Sequence, residues 1–261
     1  MSISKIPGIV CHRNLPPRRL NMLETESLNR ICTNKIFLVT LPIMRNIVFD
    51  FDGTLVDTAP LIIQTMQAAI NELGLPERSE EECRASIGFR LEEIPSVLWP
   101  EIKDLSATYA HTYRRIFDKL KRPLNVTCYP GVVDTLRKLH EDGYRMAIAS
   151  SRSHASLEEY IELFQLSDCF SMLVGGNDVE HGKSAPDPVL KILKAMDWKA
   201  SETLTVGDAP VDILMGKAAG TMTCAVTYGN STLEALQAAS PDFIIDSFPK
   251  LMEVERDLSL R

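Results

Sequence analysis

Two aspartates, Asp50 and Asp52, stand one residue apart just beyond the apolar run Ile47-Val48-Phe49. In a strand, residues i and i+2 share a face, so a strand carried through both would bring their carboxylates to one side. Two acids that close repel each other and call for a cation, a proton or a catalytic role. A second acidic pair, Asp208 and Asp212, follows the apolar run Thr203 to Val206. Its spacing places both carboxylates on one face of a helix, a turn apart. Two more groups stand after apolar runs or at a helix start: Ser150 with Ser151, and Lys183 in the stretch Gly182 to Pro188.

The elements that must position these groups alternate. The run Ile47 to Phe49 has no polar alternation, as expected of a strand buried on both faces. Gly53 and Thr54 then break it. From Ala59 to about Val126 the pattern is helical throughout. Leu61, Ile62, Met66, Ile70 and Leu73 recur at helical spacing, Gly74 and Pro76 end that helix, and Ser79 with Glu82 forms a capping-box signature for the next. A further amphipathic helix runs through Tyr109, Tyr113, Ile116 and Leu120. From Cys128 onward strands and helices alternate. Strands are expected at Arg145 to Ala149, Ser171 to Val174, Thr203 to Val206, Thr223 to Thr227 and Phe243 to Ile245. The fold class is therefore α/β, a doubly wound and mostly parallel sheet, with ligands gathered at the strands' carboxyl ends. An all-helical stretch of this length exceeds what one crossover needs, so residues 60–126 are expected to form a small helical cap domain. Residues 44–59 and 127–261 are expected to form the core.

The run Asp50-Phe51-Asp52-Gly53-Thr54-Leu55-Val56-Asp57 resembles the first motif of the haloacid dehalogenase superfamily of phosphatases. Ser150 resembles the second motif, with Ser151 a competing assignment. Lys183, shortly before Pro186-Asp187-Pro188, resembles the third, and Gly207-Asp208 with Asp212 the fourth. The resemblance spans about residues 45 to 250 and implies a Rossmann-like core with a helical cap. It implies further that Asp50 is a nucleophile forming an aspartyl-phosphate and that Asp52 is a general acid and base. Lys183 would neutralise carboxylate and phosphate. Ser150, Ser151 and Gly53 would contact phosphate, and Asp50, Asp52, Asp208 and Asp212 would hold Mg²⁺. Arg90, after Ile87-Gly88-Phe89, sits where related caps reach towards substrate; Arg152 is either a phosphate contact or a solvated charge. Asp52 disfavours a dehalogenase, and Phe51-Asp52 replaces the Lys-Thr of ion-pumping ATPases. Tyr129-Pro130-Gly131 and Ala225 to Asn230 resemble the phosphoglycolate phosphatase-like branch, so phosphoglycolate is the leading substrate expectation. Pyrophosphatases, nucleotidases, sugar-phosphate phosphatases and a phosphomutase share that branch. A receiver-like phospho-acceptor module is the alternative from another class, but it needs neither a lid nor Asp52.

Composition narrows the partners. With 28 basic and 35 acidic residues the formal charge is −7, which lacks the basic field of a nucleic-acid or membrane-surface binder. No apolar run approaches the roughly 18 residues of a membrane span. The six cysteines are scattered without a CxxC pair, as expected of reduced thiols in a cytoplasmic protein. A small phosphorylated metabolite is the expected partner, and the chain is expected to be a monomer or homodimer. Residues 1–43 mix prolines and arginines with one brief apolar patch and match neither a secretory signal nor a transit peptide. They are expected to be a poorly ordered extension, with Met44 the natural start.

Overall fold

The computed structural model describes residues 45–121 and 126–260. The expected leader, the Met44 start and the cysteines at 11 and 32 lie outside those residues. Strand β1, Asn46–Phe49, is buried along its whole length. After a turn, β2 (Val56–Asp57) leads into four helices: α1 (Ala59–Leu73), α2 (Glu80–Ala85), α3 (Ile94–Leu98) and α4 (Ser106–Leu120). Ser79 and Glu82 make both bonds of the capping box at the start of α2. The chain returns through β3 (Thr127–Cys128), which pairs antiparallel with β2, Val56 opposite Cys128 and Asp57 opposite Thr127. The helical segment thus leaves and rejoins the remainder through one short two-stranded link.

Alternation follows, with α5 (Val132–Glu141), β4 (Arg145–Ala149), α6 (His154–Leu163), β5 (Phe170–Val174) and α7 (Asp187–Met196). Then come β6 (Thr203–Gly207), α8 (Pro210–Ala218), β7 (Met222–Val226), α9 (Leu233–Ala238), β8 (Phe243–Ile245) and α10 (Leu251–Leu260). Six strands form one sheet in the order β5-β4-β1-β6-β7-β8, every neighbouring pair parallel. Strand order reverses at β1, which makes its carboxyl end the topological switch point where open α/β sheets take ligands. Register then decides which residues meet there. Phe49 lies level with Ile148 of β4 and Val206 of β6. Asp50 therefore emerges at the same rim as Ser150 and Asp208.

Successive residues of β1 serve opposite cores, as strand geometry requires. Ile47 and Phe49 join Met146, Ile148, Leu204 and Val206 beneath Leu136, Leu157 and Leu251. Val48 joins Ala147, Ala149 and Val174 against Val189, Ile192 and Met215 on the other face. The helical segment has an apolar cluster of its own, built from Ile62, Met66, Leu98, Trp99, Tyr109 and Ile116. Trp99 is fully buried, and its indole N–H donates to the Pro76 carbonyl at 3.0 Å. Among the described residues no helix is long and apolar enough to cross a membrane.

Phe49 meets Phe170 edge-on at 6.4 Å and Phe248 at 5.7 Å between ring centroids, with no exposed surface. Truncation there leaves a cavity beneath the sheet rim that carries Asp50. Phe49→Ala is expected to destabilise the fold by about 3–5 kcal/mol, read as a lower urea midpoint at an unchanged slope.

Candidate active site

Beyond Phe49 the chain leaves the sheet sooner than the i, i+2 expectation supposes. The Asp50 amide still donates to the Val206 carbonyl of β6 at 2.9 Å. From Phe51 a tight turn takes over, with the Leu55 and Val56 amides both donating to the Phe51 carbonyl. Asp50 is therefore anchored to the sheet, whereas Asp52 is placed by the turn. Both line one cavity, but their carboxylates answer to different partners.

Asp50 belongs to a buried cluster. Asp50, Asp208 and Asp212 offer oxygens that all lie within 4.8 Å of one another, and Asp50 and Asp208 are only 3% and 2% exposed. Lys183 reaches this cluster from the loop before α7. Its ammonium pairs with Asp50 and lies 2.7 Å from Asp212 Oδ1. Burial works to lower the lysine's affinity for its proton, but Asp212 and Asp50 outweigh it and hold the pKa above its ordinary value. Burial pushes the Asp50 pKa well above its ordinary value; Lys183 opposes the rise, while Asp212, Asp208 and Asp52 add to it. Burial and the Asp212 charge push Asp208 up to about 7, against the Asn230 amide and Lys183. One ammonium cannot balance three neighbouring carboxylates in a buried site. An all-oxygen donor set with surplus negative charge fits a hard divalent cation.

Each acid is braced. Asp208 accepts from the Thr54 hydroxyl at 3.3 Å and from the Asn230 amide at 2.7 Å. Asp212 Oδ2 accepts from the Ala209 amide at 3.0 Å, so this residue caps α8 and faces Lys183 at once. The backbones around them come unusually close. A Cβ on Gly207 would lie 2.2 Å from the Asp212 Cβ, and one on Gly229 would lie 2.3 Å from the Asp208 Cβ.

Above the cluster lies a cavity of about 740 Å³ between the sheet rim and the helical segment. Asp50, Asp52, Ser150, Ser151, Arg90 and Arg152 all border it. The Ser150 hydroxyl oxygen accepts from the Arg152 amide at 3.2 Å and stays on the cavity floor. Ser151 is turned to another use, its hydroxyl donating to the Gly88 carbonyl of the helical segment at 2.6 Å. Arg90 crosses in the opposite direction and donates to the Glu180 and Val179 carbonyls at 2.7 and 2.8 Å. Its Nε is buried without a partner, and it passes where a Cβ on Gly182 would come within 2.6 Å of it.

Two of the expected site residues have other partners in the structure. The Asp52 carboxylate stands outside the Asp50–Asp208–Asp212 cluster, because Thr58 Oγ1 donates to it at 2.6 Å and Arg152 holds it from the other side. Its side chain is not placed as a metal ligand. Gly53 does not present a free amide to phosphate, since that N–H donates to the Val56 carbonyl at 2.9 Å. What the position requires is space: φ is +89°, and a Cβ would lie 2.2 Å from Asp208 Oδ2 and 2.3 Å from Asn230 Nδ2. Sequence reading gave no role to Thr54, Thr58 or Asn230. Thr54 and Thr58 lie in or beside the first motif, and Asn230 ends the Ala225 to Asn230 stretch, so each was in view without a stated task.

Comparison with known proteins follows the same lines. The model of the family described as haloacid dehalogenase-like hydrolase matches residues 47–226. The chain is 32% identical to "Pyrophosphatase PpaX" of Halalkalibacterium halodurans, over 81% of this chain and 96% of that relative. It is 34% identical to "Probable phosphatase IndB" of Dickeya dadantii, over 79% of this chain and 91% of that protein. Among solved structures, a Bacteroides fragilis protein described as haloacid dehalogenase-like superposes with a TM-score of 0.75 at 27% identity, covering 79% of this chain and 99% of the other.

The crowding at Gly53 is directly testable. Gly53→Ala adds backbone strain at positive φ and displaces Asp208, and is expected to cost about 1–3 kcal/mol, measured as a reduced unfolding free energy in urea.

Proposed function

This chain belongs to the haloacid dehalogenase-like hydrolases, and from that premise we propose that it is a Mg²⁺-dependent phosphatase of a small phosphorylated metabolite. The observation that carries the reading is the buried Asp50–Lys183–Asp208–Asp212 cluster at the sheet's switch point, beneath a cavity bordered by Ser150 and Asp52. The residues that would hold the ion are Asp50, Asp208 and Asp212. When bound, a divalent cation supplies positive charge that offsets repulsion between carboxylate and phosphoryl oxygens.

The protein's own groups account for the remainder. The Asp50 carboxylate attacks phosphorus in line, forming an aspartyl-phosphate as the ester oxygen departs. Asp52 gives its proton to that leaving oxygen, then takes one from the water that attacks the aspartyl-phosphate. Inorganic phosphate leaves and Asp50 is regenerated. Lys183, paired with Asp50, lowers the electrostatic cost of bringing a dianion to a carboxylate. Ser150 borders the same floor and supplies a hydroxyl to a phosphoryl oxygen.

Residues 60–126 act as a lid over the core in this reading, since among the described residues this segment borders the cavity and joins the core through the β2–β3 link and side-chain contacts. Arg90 is the cation on the lid's side of the cavity that meets backbone carbonyls, unlike Arg114 with Glu92 and Lys121 with Glu159. An arginine so placed suits a substrate whose far end is anionic. Phosphoglycolate, with its carboxylate, is the leading candidate. A second reading, pyrophosphate, is favoured by the name carried by several relatives.

Phosphate release with Mg²⁺ should be sustained over many turnovers and fastest with phosphoglycolate or pyrophosphate in a panel that includes hexose 1-phosphates and p-nitrophenyl phosphate. One phosphoryl group per protein without turnover would indicate a phospho-acceptor module instead. Asp50→Asn should abolish release while leaving the melting temperature intact, and Asp52→Ala should slow it by roughly 10² to 10⁴. Mg²⁺ at 100 times its Kd should stabilise the protein by about 2.7 kcal/mol, seen as a higher Tm. Asp208→Asn should lose that response without lowering the metal-free Tm, because it removes one of three mutually repelling charges.

A further inference from the structure

We propose that Arg152 is a positioning residue for Asp52: it fixes the carboxylate that exchanges protons with leaving group and water. The inference rests on the reading of Asp52 given above. Its basis is the way this guanidinium is held. Arg152 Nε lies 3.1 Å from Asp52 Oδ2 and Nη2 lies 2.5 Å from Oδ1, so both carboxylate oxygens meet one rigid fork. Nη1 donates to Ser156 Oγ in the first turn of α6 at 3.0 Å. Phe51, Phe117 and Tyr160 surround the guanidinium carbon, with ring centroids at 5.6, 5.6 and 4.9 Å. The arginine and aspartate side chains are only 8% and 13% exposed.

These contacts come from three parts of the fold. Phe51 belongs to the turn after β1, Phe117 to the last helix of the inserted segment, and Tyr160 to α6. The arginine is therefore immobilised from several sides before it touches Asp52. A buried ion pair adds little net stability compared with apolar side chains of similar volume, so stability alone does not explain a charge in an aromatic cage. Orientation does. Asp52 sits on a turn rather than on the sheet, and without an external brace its carboxylate would be free to rotate. Arg152 and the Thr58 hydroxyl supply that brace together, both donating to Oδ1 while the arginine also holds Oδ2. A substrate-binding role fits less well, because three edges of the guanidinium already have partners. Arg90, by contrast, meets only backbone carbonyls.

The test is a double-mutant cycle with p-nitrophenyl phosphate at saturating Mg²⁺. Arg152→Gln is expected to lower kcat by roughly 10- to 100-fold, a fraction of the general acid-base contribution, with KM within about threefold. Placed on Asp52→Asn, the same change should alter kcat by less than about twofold, since a residue acting through another has nothing left to position. Arg152→Lys keeps the charge and the aliphatic stem but not the fork. It should also lose about tenfold or more in kcat, again with no further loss on Asp52→Asn, and it carries the test if the glutamine variant does not fold. A loss confined to KM, a full loss on top of Asp52→Asn, or a lysine variant at wild-type kcat overturns the inference. If Asp52→Asn itself turns over at the wild-type rate, the reading of Asp52 fails and the inference falls with it. A slow Asp52→Asn with additive Arg152 variants overturns the positioning role alone.

Discussion

Three carboxylates gathered around one ammonium, beneath the surface of the protein, set the terms for everything near them. Asp50, Asp208 and Asp212 repel one another, and burial removes the water that would screen them. Lys183 offsets part of that charge. Such an arrangement survives only where the backbone leaves the acids no way apart. The parallel sheet provides this, because β1 is bonded on one side to β4 and on the other to β6, in a register that brings Asp50, Ser150 and Asp208 to the same edge. Glycines at 53, 207 and 229 then let neighbouring loops approach closer than any side chain would allow. The excess negative charge on this all-oxygen cluster is of the kind that a hard cation would offset.

The helical segment borders the cavity above that charge. It meets the core at the cavity's rim through reciprocal contacts: Ser151 donates to the Gly88 carbonyl, and Arg90 donates to the carbonyls of Val179 and Glu180, just ahead of Lys183. The helices are stabilised by their own apolar cluster around Trp99 and Tyr109. They are also joined to the core by apolar side chains, because Leu61 and Phe117 pack into the cluster around Phe49 and Leu136. Phe117 carries this link further by closing over Arg152, so the segment touches the environment of Asp52 as well.

Much of the fold was legible along the chain. Apolar runs such as Ile47–Phe49 and Arg145–Ala149 marked strands because a sheet covered on both faces tolerates no polar alternation. Ser79 and Glu82 marked a helix start because the capping box is local chemistry. The short strands β2 and β3 were not legible. Each has only two residues, and their pairing joins positions about 70 residues apart, which no local pattern records. Within the site the same division holds. Asp50, Lys183, Asp208 and Asp212 could be nominated from their motifs. The use of Ser151 as a contact to Gly88, of Gly53 as a gap beside Asp208, and of Arg152 as the partner of Asp52 could not.

By itself the sequence determined the order of elements, the family pattern and the chemical groups available, since these depend on residue type and on spacing within one strand or helix turn. Tertiary structure alone decided how those groups are partnered. Asp50 and Asp52 are two residues apart, yet one is held by the sheet and faces Lys183, while the other rides on a turn and faces Arg152. The physical reason is that strand geometry constrains a side chain only while the strand lasts. Once the chain leaves the sheet at Phe49, the direction of each carboxylate is set by the cation that distant packing brings to it.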